Sequence, residues 1–187
     1  STPDVGNNAL TGLLVFLGKL DFASCPQVDM VRKTASLFPH GDVNGKTLGV
    51  AMEDELSGNL TLSFNMLTVD AASMDGEFDG RIPVCGNDEN VLEVVRARMA
   101  EQGLTLLNKA LIPPHHVSAD SYFVKTLLAA FELYTGRKGE CQALGGGTYV
   151  HHLENGVAFG AAMPETDNKM HGPDEFAVVD ELLVSAK

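Results

Sequence analysis

The chain has 187 residues, 44% of them hydrophobic and 20% charged, which is enough apolar material for one packed domain or two small ones. Thirteen Lys and Arg against 25 Asp and Glu leave a net charge of −12, a balance that repels nucleic acid and anionic membrane and speaks against both as primary partners. No apolar run reaches the ~20 residues of a membrane-spanning helix, and Cys25, Cys85 and Cys141 form no Cys-x-x-Cys pair, so reduced thiols in a cytoplasmic protein are the simplest account of them.

In chain order, Thr2 is expected to cap a first helix with Pro3 at its first position, and Ala9, Leu10, Leu13, Leu14 and Leu17 recur at helical spacing. A second helix is expected over 26–37, with Val28, Met30, Val31 and Ala35 inward. Residues 41–45 read as a loop, and 48–52 and 58–69 as strands. In the second strand Leu60, Leu62, Phe64 and Met66 alternate with Asn59, Thr61, Ser63 and Asn65. A turn over 71–76 returns the chain as a paired strand over 77–84. There Phe78, Ile82 and Val84 share one face, and Glu77, Asp79 and Arg81 the other. An arginine flanked by two acids on one face is commonly a surface ion pair. Residues 88–102 are expected to form a helix carrying Val91, Val94, Val95 and Met99 inward, and 104–111 a closing strand. The fold class this predicts is α+β, an antiparallel sheet with helices on one face.

Pro113 and Pro114 end that strand and mark a boundary, giving one domain over 1–112 and a smaller α/β segment over 113–187. In the second, Ser118 is expected to cap a helix over 119–134, with Phe123, Leu127, Leu128 and Phe131 inward and Gly136 as its stop. Residues 140–144 read as a short strand, and the apolar run 157–163 as a buried one. A last helix is expected to start at Pro173 and Asp174 and to carry Phe176, Val179, Leu182 and Leu183. Two helices and short strands are marginal material for a closed core.

The densest group of chemical features lies between those strands. Gly145, Gly146 and Gly147 precede Thr148, and a triple glycine lets backbone approach a ligand closely and adopt dihedrals that other residues avoid. After the apolar run comes a polar loop with Glu165, Asp167, His171, Asp174 and Glu175. This is half of a metal site at most, because a catalytic zinc needs about three protein ligands. No His-Glu-x-x-His helix is present. The adjacent pairs His115-His116 and His151-His152 cannot both face one ion from a regular strand, and the second pair reads as surface. On residue types alone, His171 reads as a surface-loop histidine more readily than as a ligand.

Several stretches resemble the PepV-type dipeptidases of the di-zinc metallopeptidase family that includes aminoacylase and carboxypeptidase G. They are Gly145-Gly146-Gly147-Thr148, then Gly156-Val157-Ala158-Phe159-Gly160, then Pro164, Asp167, His171 and Glu175. Upstream, Leu48-Gly49-Val50-Ala51 with Asp54-Glu55-Leu56-Ser57-Gly58-Asn59-Leu60-Thr61 resembles the strand pair of that family's lid domain. Gly80-Arg81-Ile82-Pro83 resembles its Ile-Arg-Tyr-Pro strand, with Ile82 in the tyrosine's place and Gly80 before the arginine. The opening Ser1-Thr2-Pro3-Asp4, with Gly6 and Asn8-Ala9-Leu10, resembles the segment after the family's Gly-x-x-Ala-His signature.

The resemblance implies that 1–112 is a lid over the substrate and 113–187 the C-terminal part of a catalytic domain. It implies His171 as a ligand to one of two zinc ions and Arg81 as the partner of a dipeptide substrate's C-terminal carboxylate. Gly145, Gly146, Gly147 and Thr148 would line the cleft. The resemblance assigns most of the family's zinc ligands and its catalytic glutamate to an N-terminal half outside these residues, so the expectation is a piece of a zinc-dependent dipeptidase, inactive by itself and holding zinc weakly. Its second part is expected to expose apolar surface that a missing N-terminal half would cover, and so to self-associate. The alternative is a noncatalytic α+β binding or dimerisation module.

Overall fold

A computed structural model describes residues 3–160 and 163–187. The expected cap Thr2 therefore lies outside the described residues, and the first helix, α1 (Ala9–Gly18), starts later than expected. Its N-cap is Asn8, whose side chain accepts the Thr11 amide at 3.0 Å while its Nδ2 donates to the Phe64 carbonyl at 2.8 Å. One residue thus starts the helix and ties it to the sheet. Helix α2 (Pro26–Leu37) has the expected bounds, with Pro26 in the first turn, where a missing N–H costs nothing.

Residues 48–52 do not form the expected strand. Leu48 and Gly49 lie in a turn, with Leu48 and Val50 buried. The hairpin that follows is short, β1 (Glu53–Asp54) against β2 (Gly58–Asn59), and the longer antiparallel pair is β3 (Thr61–Val69) with β4 (Met74–Arg81). Period-2 alternation buries Leu60, Leu62 and Phe64 as expected, but Met66 is 58% exposed. The cause is a bulge. Phe64 pairs with Phe78 and Met66 with Glu77, leaving Asn65 without a partner and turning everything beyond it to the opposite face.

A π-helical turn (Asp88–Leu92) opens the next helix, capped reciprocally by Asn87 and Asn90, and runs into α3 (Glu93–Glu101). The closing strand expected over 104–111 is absent. Its backbone is bound by side chains instead: Arg96 donates to the Leu106 and Asn108 carbonyls at 3.1 and 2.8 Å, and Asp88 accepts the Leu111 amide at 2.8 Å. Once those groups are satisfied laterally, no neighbouring strand is needed.

The chain forms two compact units. One runs to Pro114 and takes back Ala143–Gly146; the other comprises His115–Gln142 and Gly147–Lys187. Among the described residues thirteen apolar side chains are buried, and twelve of them form one cluster in the first unit, between Leu14 and Leu106. Phe38 stacks on Phe64 at 4.6 Å between ring centroids and tilts against Phe78 at 5.2 Å.

Among its described residues the second unit buries Val124 alone. Its main helix, α4 (Tyr122–Thr135), is capped by Ser121 rather than Ser118 and stopped by Gly136 at φ 69°. Phe123 on this helix is 48% exposed. Residues 140–144 and 156–160 form no strand, and Phe159 is half exposed; Ala161 and Ala162 of the expected buried run lie outside the described residues. A 3-10 turn (Tyr149–His152) follows the glycines, and α5 (Val179–Ser185) starts well after Pro173 and Asp174, which lie in a turn. The element content is α+β, with two-stranded antiparallel ribbons in place of a broad sheet. Among the described residues no helix is long and apolar enough to cross a membrane.

Candidate functional site

In the first unit Arg81 closes β4, opposite Thr61 on β3. Its Nε lies 2.9 Å from Asp79 Oδ2, two residues back on the same face, and both side chains are a little over a third exposed. The N–H is not aimed for a hydrogen bond, so the contact is an ion pair without directional character. This is the surface-pair geometry that two flanking acids suggested. At that exposure it adds little to stability. It engages Nε and leaves the outer edge of the guanidinium fork, which matches a carboxylate in bidentate fashion.

Gly145 belongs to the same unit, and a Cβ placed on it would stand 3.9 Å from the Cβ and Cγ of Arg81. The first glycine of the run and the arginine are thus neighbours, which their separation of 64 positions in sequence does not show. Gly146 and Gly147 have no atom within 4 Å of a would-be Cβ. None of the three has a positive φ. The glycine run is therefore not required by left-handed backbone here, contrary to one half of the sequence reading. What it provides is open space along the main chain.

In the second unit, Thr148 heads the 3-10 turn, and its amide donates to His151 Nδ1 at 3.2 Å. His171 is exposed, with φ 62°, and Lys169 and Asp174 are left-handed beside it at 56° and 60°. Three non-glycine residues in that region within six positions is uncommon, although His and Asp tolerate it better than most. The loop is held by local bonds: Gly172 N–H to Lys169 O at 2.7 Å, Phe176 N–H to Asn168 O at 3.2 Å and Lys169 N–H to Asp167 Oδ1 at 3.2 Å. Glu181 of α5 anchors its start by accepting the Met163 amide at 3.1 Å and the Thr166 hydroxyl. Sequence reading missed Glu181, and only its position on the apolar-striped helix could have drawn notice.

Residues 166–174 except His171 line an open recess. Among the described residues no three His, Cys, Asp or Glu side chains converge on one point. His171 together with the carboxylates of its own loop does not make a zinc shell, which requires about four ligand positions around the ion.

No protein-family model matches the chain. It is 37% identical over 188 residues to "Putative dipeptidase YtjP" of Bacillus subtilis (strain 168), a match covering 98% of this chain and 39% of that protein. It is 32% identical to the "Beta-Ala-Xaa dipeptidase" of Lactobacillus delbrueckii subsp. lactis, over 99% of this chain and 39% of the relative. A "Putative dipeptidase" of Staphylococcus epidermidis is 28% identical over 97% of the chain and 38% of its own length. The chain is thus similar along nearly its whole length to bacterial proteins named as dipeptidases, and spans about two fifths of theirs (39% and 38%).

Proposed function

We propose that these 187 residues belong to a zinc-dependent dipeptidase of the PepV type and supply its lid and the C-terminal part of its catalytic domain. The observation that carries this reading is the juxtaposition of Arg81 with Gly145, two positions that the family resemblance assigns to one substrate cleft. Similarity to dipeptidases over 98 and 99% of the chain supports it.

In this reading the guanidinium of Arg81 takes the C-terminal carboxylate of the dipeptide. A carboxylate arriving at the outer edge of the fork is fixed in direction as well as distance, and this limits substrate length. The peptide then lies along Gly145, Gly146, Gly147 and Thr148, where no side chain before Thr148 obstructs the backbone. His171 is this chain's one contribution to the metal pair. The other ligands and the general base are assigned to the remainder of the full-length protein, the same remainder that covers the exposed apolar side chains of the second unit. Zinc in such enzymes polarises the scissile carbonyl and activates water. Because His171 stands without converging ligands among the described residues, these residues alone are expected to be inert and to bind zinc weakly.

The test is made on the full-length protein. Dipeptide hydrolysis should be abolished by a chelator and restored by zinc, and His171→Ala should lower kcat/KM by at least about a hundredfold. Arg81→Lys should raise KM for free dipeptides roughly tenfold or more while changing little for a C-terminally amidated substrate. Hydrolysis indifferent to both chelator and His171→Ala would overturn the reading.

A further inference from the structure

The second unit holds a pair of histidines that the family motifs do not include. The rings of His115 and His151 lie 5.3 Å apart between centroids, tilted by 43°. Each has a nitrogen committed to backbone. His115 Nε2 is 2.6 Å from the Gly156 carbonyl, which can only accept, so Nε2 carries the proton. His151 Nδ1 is 3.2 Å from the Thr148 amide and 3.1 Å from the Thr148 carbonyl. That carbonyl already accepts the His151 amide at 3.1 Å, whereas the Thr148 N–H has no other acceptor among the described residues. Nδ1 therefore accepts, and the neutral ring is protonated at Nε2.

The two rings join His115 to the stretch 148–156, more than 30 positions away in sequence. The 3-10 turn brings residue 151 into line with residue 148, because positions three apart eclipse in that helix. His115 then backs His151 and holds the turn at Gly156. That turn is tight: its amide bonds Leu153 O at 3.0 Å, and a Cβ on Gly156 would meet the Leu153 side chain at 2.8 Å. Among the described residues nothing lies within 4 Å of a would-be Cβ on Gly146 or Gly147. The anchor on the Thr148 side is His151.

We infer that His115 and His151 are positioning residues, a brace that holds Thr148 and with it the downstream end of the glycine loop against which a dipeptide lies. The catalytic part of this inference rests on the function proposed above; the brace itself does not. A loop of three glycines held at one end only samples many backbone states, and the loss of orientation reaches the reaction as a slower step.

The experiment uses the full-length protein and four variants. Asn places an oxygen acceptor near the position of Nδ1, so His151→Asn keeps the Thr148 bond and His151→Leu removes it. Gln places an N–H donor near the position of Nε2, so His115→Gln keeps the Gly156 bond and His115→Leu removes it. Hydrogen exchange of the Thr148 amide is expected to accelerate at least tenfold in both Leu variants and to stay within about threefold of wild type in the Asn and Gln variants. Dipeptide kcat/KM should fall about tenfold in the Leu variants and recover in the others. Unchanged Thr148 exchange in His151→Leu overturns the brace, whatever the activity. Altered exchange with wild-type kcat/KM in all four variants overturns the positioning role. A wild-type protein that hydrolyses no dipeptide removes the proposed function, and the exchange measurement still decides the brace.

Discussion

Gly45 occupies a place that no other residue fits. It has φ +68°, and a Cβ there would stand 2.7 Å from Cγ2 of the buried Val50. Gly45→Ala combines a left-handed alanine with overpacking in the core, and should destabilise the protein by about 2–4 kcal/mol, read as a lower urea midpoint. Asp54 is the polar counterpart. Its carboxylate accepts the Ser57 amide at 2.6 Å, the Ser57 hydroxyl at 2.8 Å, the Leu56 amide at 2.9 Å and the Cys85 amide at 3.4 Å. The Ser57 amide leads in lowering its pKa to about 2. A pKa lower in the folded than in the unfolded chain means that the contribution is fully present above about pH 4 and is lost as pH falls toward 2. The stability of wild type should therefore fall more steeply across that window than that of Asp54→Asn, in denaturant titrations at stepped pH. Parallel slopes would show that the carboxylate is equally well bonded in the unfolded chain.

Among the elements, the stretch over 104–111 rests on Arg96 more than on any ladder. The fork holds two carbonyls at once, and a lysine presents a single ammonium in place of that planar pair. Arg96→Lys is expected to lose about 1–2 kcal/mol, close to the loss in Arg96→Ala, with faster exchange confined to the neighbourhood of Leu106 and Leu111. Full recovery by lysine would mean that charge rather than geometry holds the segment.

This stretch also shows where sequence reading stops. Its apolar residues marked a segment that packs, and Leu106 is buried, but packing alone does not tell a strand from an irregular run tied down by one arginine. Helix α2 was legible because proline, periodicity and length agree over 26–37. The bulge at Asn65 was not, since a polar residue at an outward position looks the same whether paired or extra. Similarly, Arg81 and Gly145 each carried a recognisable motif, whereas their adjacency arises only from Ala143–Gly146 rejoining the first unit. The His115–His151 contact had no periodic signal at all. Taken one at a time, neither histidine pair can aim both rings at one ion from a regular strand, and only His151-His152 reads as surface.

At the scale of the molecule, the two units are unequal. In the second, Tyr122, Leu133, Tyr149, Met170 and Val179 are each more than 65% exposed, against a single buried apolar side chain among the described residues, Val124. So much open apolar surface favours covering by another chain or by a second copy. Expressed as these 187 residues, the protein should bind apolar dyes and form concentration-dependent oligomers in light scattering. Amide exchange should be fast over 115–142 and 147–187 and slow around Leu14, Leu60 and Val95. A strict monomer with uniform protection would show that the second unit closes on itself in solution.

The confinement of the main core between Leu14 and Leu106 bears on how the protein is made. At roughly 5–20 residues per second, synthesis of the 80 or so residues that follow Leu106 lasts about 4–16 s. Small mixed α/β domains fold in milliseconds to about a second. The first core is thus free to seal before α5 is complete. A ribosome stalled at Pro114 would carry every member of that core, lacking only Ala143–Gly146 from the unit. Errors in the codons after Gly146 would then spare the first unit and fall on residues 147–187, which carry His171.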